Sequence, residues 1–247
     1  MNPLQRWETR LGIALVATSV IIYLTKYLLL GDALNTYQYL FNAIGFLPIN
    51  VLLVTVILNQ LLSVRAKRER LEKLNMVIGT FFSEVGTGLL AYLSDHDPSL
   101  SRIRGDLIVR GDWTDEEFAR VRTRLGDYDY DVAIDRIDLA ALHTFLMERR
   151  NFLLRLLENP VMLEHESFTD LLRAVFHLTE ELERRGDLTG LPRNDLEHLT
   201  GDIRRVYGML VRQWLDYMHY LQKSYPYLFS LAMRSNPFDE EASPVVR

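Results

Sequence analysis

The sequence predicts an all-α protein in two parts: an N-terminal two-helix transmembrane hairpin followed by a cytoplasmic helical bundle. Three observations carry that prediction. First, the charges are unevenly spread: residues 11–62 hold only Lys26 and Asp32, while the other 195 residues hold 59 of the chain's 61 charged side chains. Second, two apolar stretches of helix-spanning length lie inside that nearly uncharged region. Third, after Val64 the apolar residues recur three and four apart, and no segment keeps for long the period of two that marks a strand.

Whole-chain averages conceal this partition. A net charge of −5 with 48% hydrophobic residues and a mean hydropathy of −0.02 describe an ordinary water-soluble chain. Split at residue 62, the charge becomes +1 before and −6 after. The composition is too apolar for disorder and too poor in Gly and Pro for a collagen-like or low-complexity chain. The absence of cysteine removes disulfide frameworks, iron–sulfur clusters, thiolate zinc and a cysteine nucleophile. The acidic balance does not suit a nucleic-acid partner, which needs a basic footprint.

The first span, Leu11–Leu30, has 15 apolar side chains in 20 residues. At 1.5 Å per residue it is about 30 Å long, the thickness of a bilayer's hydrocarbon core. The second, Tyr39–Leu62, has 17 in 24 and no charge. A signal peptide is the rival for the first, with Arg6 and Arg10 ahead of it and the small-x-small pattern Gly31-Asp32-Ala33 behind. The run is longer than a usual signal core and a second span follows within eight residues, which favours two spans. Arg6 and Arg10 precede the hairpin, Arg65, Lys67, Arg68, Arg70 and Lys73 follow it, and Gly31–Gln38 has no basic residue. The positive-inside rule then puts both termini on the cytoplasmic side of the inner membrane. A connection this short has no room for a pore helix and carbonyl filter, so a channel would need several hairpins with side-chain walls.

Polar residues inside the spans have two readings each. Lys26, near Tyr23, Tyr27, Tyr37 and Tyr39, suits snorkelling to an aromatic belt better than lining a pore. Asn42, Asn50, Asn59 and Gln60 spread around the second helix instead of forming one polar stripe, which favours helix–helix hydrogen bonds over a pore wall. Pro48 removes one backbone donor and predicts a kink, with a gating hinge as the alternative. The basic run from Arg65 to Lys73 is what topology requires, with recognition of anionic lipid as its second reading.

Residues 63–95 are expected to continue the second span as a juxtamembrane helix. Leu71, Leu74, Ile78, Phe81 and Val85 follow a heptad spacing, and Gly79, Ser83 and Gly86 offer small faces for close helix packing. These residues fit either a homo-oligomeric stalk or packing within one chain. Residues 96–236 then form the cytoplasmic helical domain. Thr114-Asp115-Glu116-Glu117 is a capping box, and pairing of Arg120 with Glu116 is the expected state of its helix. Asp127–Asp138 has the carboxylate spacing of a calcium loop, but Val132 stands where the turn glycine belongs and Asp138 where the bidentate glutamate belongs. An acidic loop ending in a helix cap is the stronger reading. Helices are expected over Ile137–Leu157, over Ser167–Leu182 and from an Asn194 cap to about Gln222. Pro226 should stop the last of these ahead of the aromatic-rich Tyr225–Met233, and residues 237–247 read as a frayed acidic tail.

Chemistry is sparse. The histidines, His96, His143, His165, His177, His198 and His219, fall in no HExxH or Glu-x-x-His pattern, and Glu164-His165-Glu166 suits a helix start. His177 with Glu181 is a lone pair of ligand types. The phosphate-loop, dinucleotide and hydrolase glycine motifs are missing. No catalytic residue, metal ligand or cofactor is assigned.

Three segments are similar to a group of uncharacterised prokaryotic membrane proteins. They are Leu71–Gly79 with Phe81–Gly86, Phe152–Leu182 including Glu158-Asn159-Pro160, and Tyr225-Pro226-Tyr227-Leu228-Phe229-Ser230. The resemblance implies the two-span helical architecture and a prokaryotic inner membrane, and transfers no site. The function expected is a membrane-anchored helical scaffold or sensor that self-associates and presents its helical domain to a cytoplasmic protein partner. A side-chain-lined oligomeric channel is the alternative.

Overall fold

The computed structural model describes residues 3–30, 33–160, 162 and 165–245, with residues 3–9, 30 and 33 described by backbone alone. Gly31, Asp32, Glu164 and the Arg6 side chain, all invoked above, lie outside the described residues. The described residues form helices joined by loops and turns, without a strand. It divides into two units, Met1–Lys67 and Arg68–Arg247.

The first unit contains α1 (Pro3–Leu30) and the opening part of α2 (Ala33–Phe81). Pro48 lies inside α2, which carries on through it. Both helices are long and apolar enough to cross a membrane, and none of the apolar windows is buried. Thr18 and Thr25 return their hydroxyls to the carbonyls of Ala14 and Ile21, each at 2.8 Å, so these polar groups are satisfied within α1. Lys26 Nζ sits 3.6 Å from the centroid of the Tyr39 ring, which places the span's lone cation on an aromatic face.

The second unit is built around α8 (Arg193–Ser224). Against it pack α3 (Thr87–Asp95), α5 (Asp115–Gly126), α7 (Glu166–Glu183) and α9 (Pro226–Arg234), and α6 (Leu139–Leu157) covers α7. A single turn, α4 (Arg104–Leu107), lies between α3 and α5. The helix start signals are honoured where the side chains allow. Thr114 and Glu117 form the reciprocal capping box of α5, Asp138 accepts from Ala141 N at 2.9 Å to start α6, and His165 Nδ1 accepts from Phe168 N at 3.2 Å to start α7.

Several expectations need correction. Pro192, not Asn194, precedes the first turn of α8, because the fixed φ of proline ends the extended approach there and carries Asn194 inside the helix. Arg120 approaches Glu117 at 3.9 Å, not Glu116. Pro226 does more than stop α8: it is the first residue of α9, a position where its missing N–H costs nothing. The 237–247 segment does not begin as a frayed tail. Phe238 is buried against Trp214 at a ring separation of 5.1 Å, Asn236 Nδ2 donates to Leu107 O at 2.8 Å, and Glu240 pairs with Arg104. One aromatic residue outweighs the acidic composition around it.

The juxtamembrane heptad packs within its own chain. Leu74, Ile78, Phe81 and Val85 are buried in the core of this unit, and only Leu71 stays exposed, so the spacing marks a core-facing stripe and not a stalk seam. The helix is interrupted there by a π turn, Phe82–Gly86, closed by Thr87 N–H to Phe82 O. Phe81 and Phe82, where the α-helix passes into the π turn, are both buried in the core.

Candidate functional site

Of the residues picked out from sequence, the structure brings together only the packing set. A Cβ on Gly79 would lie 2.7 Å from Tyr217 Oη, and one on Gly86 would lie 2.6 Å from Phe82 Cδ1 and 2.8 Å from Phe81 Cε1. Both glycines therefore admit an aromatic ring that any side chain would displace. Ser83 is exposed beside them. Asn42, Asn50 and Asn59 are exposed along α2, as are Arg65, Lys67, Arg68, Arg70 and Lys73. Within that basic run Arg68 pairs with Glu72 at 3.2 Å, four residues on.

The π turn opens onto a concavity of the second unit. A groove of about 670 Å³ lies between the end of α2, the π turn, α8 and α9. Its apolar lining comes from Met76, Phe82, Leu221, Leu228 and Leu231, and its polar lining from hydroxyls and one amide, including Thr80, Ser83, Tyr217 and Tyr220. None of the lining residues is charged. The groove exists because α9 turns back at Tyr225 and buries Phe229 while leaving Tyr227, Leu228 and Leu231 exposed. Sequence reading marked the aromatic-rich Tyr225–Met233 but could not see that Tyr217 and Tyr220 from α8 meet it.

A second cluster joins α7 to α8. Arg185 donates to Glu181 Oε2 at 2.6 Å and to Asp195 through Nε at 2.8 Å and Nη2 at 2.6 Å. Asp202 is buried: Arg205 reaches its Oδ1 at 3.1 Å, while Oδ2 has no hydrogen bond and lies 3.4 Å from His198 Nε2 and 3.6 Å from His177 Nε2. Sequence reading had paired only His177 with Glu181; the His198 and Asp202 spacing of four on α8 is the signal it passed over. Among the described residues no group of three or more His, Cys, Asp or Glu is placed to hold a metal ion. In the loop with calcium-like spacing, Asp131 accepts from Val132 N at 2.7 Å and pairs with Arg204, and Asp138 caps α6.

The Arg185 clasp has a pH signature. Hydrogen bonds from Arg185 hold the carboxyls of Glu181 and Asp195 below their ordinary values of 4.5 and 3.8. A carboxyl depressed in the fold contributes stability that is present above the unfolded value and lost as pH falls through the folded one. The difference in urea midpoint between the wild-type chain and Arg185→Gln is therefore expected to be full at neutral pH and to close as the pH falls below the ordinary glutamate value of 4.5. A difference that stays constant down to strong acid would assign the clasp no electrostatic role.

Two family models divide the chain: residues 2–62 match the N-terminal helical domain of MJ1433, and residues 70–234 match the C-terminal helical domain of uncharacterized protein MJ1433. The chain belongs to the MJ1433 family. Uncharacterized protein MJ1433 of Methanocaldococcus jannaschii is 44% identical over 238 residues, 96% of each chain. No solved structure matches. The seam between the two MJ1433 domains falls where the fold changes unit, between Lys67 and Arg68. The groove, the π turn and the Arg185 clasp all lie in the C-terminal MJ1433 domain.

Proposed function

We propose that this MJ1433-family chain is a multi-pass protein of the cytoplasmic membrane, in which the N-terminal hairpin anchors a cytoplasmic helical scaffold or sensor domain. The observation that supports this most is the uncovered surface of the first unit. From Leu11 to Val64 the large apolar side chains are exposed along both helices, Leu29 and Phe41 by about 80%. Leaving such a continuous apolar surface in water costs roughly 25 cal/mol for each Å², whereas hydrocarbon covers it without loss. The distribution of basic residues favours cytoplasmic termini.

A non-catalytic role fits the second unit, where the titratable groups with shifted values serve packing and ion pairing. Glu181 and Asp195 answer Arg185, and burial raises Tyr130 and Tyr207 within the core. Self-association is assigned to the hairpin, since the heptad residues that would have formed a stalk are used inside the domain.

Because the chain has no cysteine, single-cysteine topology mapping needs no background removal. Gln38→Cys in intact cells is expected to react with a membrane-impermeant maleimide, and Asp187→Cys only after permeabilisation. Equal labelling at both positions, or release of the chain from membranes by alkaline carbonate, would overturn the anchored topology. Native mass spectrometry in mild detergent reports the assembly: a monomer contradicts both self-association and a ring of hairpins around a pore.

A further inference from the structure

The groove of the second unit has the chemistry of a lipid-chain site. Its apolar lining, Met76, Phe82, Leu228 and Leu231 among it, carries no charge, and its volume of about 670 Å³ falls within the range of about 300–1,000 Å³ typical of small-molecule sites. A neighbouring hollow shares Met76 and Thr80 with it and has Lys73 in its lining. Lys73 is exposed, forms no ion pair among the described residues, and ends the basic run that starts at Arg65. Tyr220 Oη lies on the groove shielded from water and without a hydrogen bond of good geometry, although Ser224 and Tyr225 are close to it. A buried donor without a well-placed acceptor is destabilising, a penalty that an ester or carbonyl oxygen in the groove removes. The walls include a π turn, a distortion that recurs at functional sites in helices.

We propose that the groove holds one membrane lipid, with its hydrocarbon chain along Met76, Phe82, Leu228 and Leu231 and its anionic head group at Lys73. The inference rests on the membrane reading above, because an embedded chain meets such a lipid at high local concentration. Charge complementarity selects the occupant: an uncharged, largely apolar trough with a cation in the adjoining hollow fits an anionic amphiphile and disfavours a charged peptide, whose side chains would lose their water there.

The test uses the full chain in nanodiscs containing phosphatidylglycerol with a diazirine in one acyl chain. After irradiation, peptide mapping is expected to find adducts in residues 11–30 and 39–62, and a second set on Met76–Ser83 or Tyr225–Leu231. Met76 is exposed, so Met76→Glu leaves the core intact. It should lower the groove adducts about fivefold or more relative to the span adducts, because the carboxylate must stay hydrated. Ser83→Trp, which fills the groove two turns further along the same wall, should do the same. Adducts confined to the spans, or groove adducts unchanged in both variants, overturn the lipid site while leaving the anchor in place. Absence of adducts from the spans overturns the anchor itself.

Discussion

Phe168→Ala is expected to destabilise the second unit by about 3–5 kcal/mol. Phe168 is fully buried in the first turn of α7 and meets the Phe81 ring edge-on at a centroid distance of 5.3 Å. Phe81 meets Phe82 at 5.4 Å, and Phe82 stacks on Tyr217 at 5.4 Å. Truncation therefore removes the end ring of a four-ring series that ties α7, the π turn and α8 together. Against a typical domain stability of about 5–15 kcal/mol, a loss of this size should be plain in denaturant unfolding followed by the fluorescence of the tryptophans. Leu71→Ala supplies the contrast. Leu71 belongs to the same heptad pattern but is 45% exposed, so its removal should cost less than about 1 kcal/mol. Equal losses at the two positions would mean that Leu71 is covered by another chain, and would restore the stalk.

That contrast shows where sequence reasoning reached and where it stopped. The apolar period identified Leu74, Ile78, Phe81 and Val85 as one stripe, because a helix repeats its faces whether the partner is another copy or the same chain. It could not choose between those partners, since Tyr217 and Phe168 arrive from more than 80 residues away. The capping box at Thr114 and the Asp138 cap were legible because their chemistry is local. The groove was not: Tyr220 and Leu228 lie on successive helices whose angle depends on the turn at Tyr225, and no short-range pattern encodes that angle. The π turn left only an indirect mark, two adjacent phenylalanines followed by a glycine four residues after the second.

The second large effect is expected from a residue that sequence pattern did not single out. Asp97 follows α3 and is buried; its Oδ1 accepts from Ser99 N at 2.8 Å, and its Oδ2 from Tyr128 Oη at 2.8 Å and Tyr207 Oη at 3.3 Å. Burial is the main cause, and the neighbouring Asp97 carboxylate a further one, that raises both phenols well above their ordinary range. Asp97→Leu removes the acceptor from a fully buried Tyr207 hydroxyl, and should cost about 2–4 kcal/mol by the penalty for unsatisfied buried donors and the loss of charge-assisted bonds. Tyr207→Phe alone should cost less, because Asp97 keeps Ser99 and Tyr128. The decisive measurement is the double variant. If the penalty comes from an orphaned hydroxyl, Asp97→Leu with Tyr207→Phe should be more stable than Asp97→Leu alone, since the second substitution deletes the group left without a partner. Strict additivity would instead mean that the two side chains act separately. The same network sets an alkaline limit. A phenol whose value is raised in the fold contributes stability below its unfolded value of 10.0 and loses it as pH climbs further, because ionisation is then favoured only in the unfolded chain. Tyr207→Phe should flatten the stability profile above that pH, with the neutral range changed only by the lost hydrogen bond.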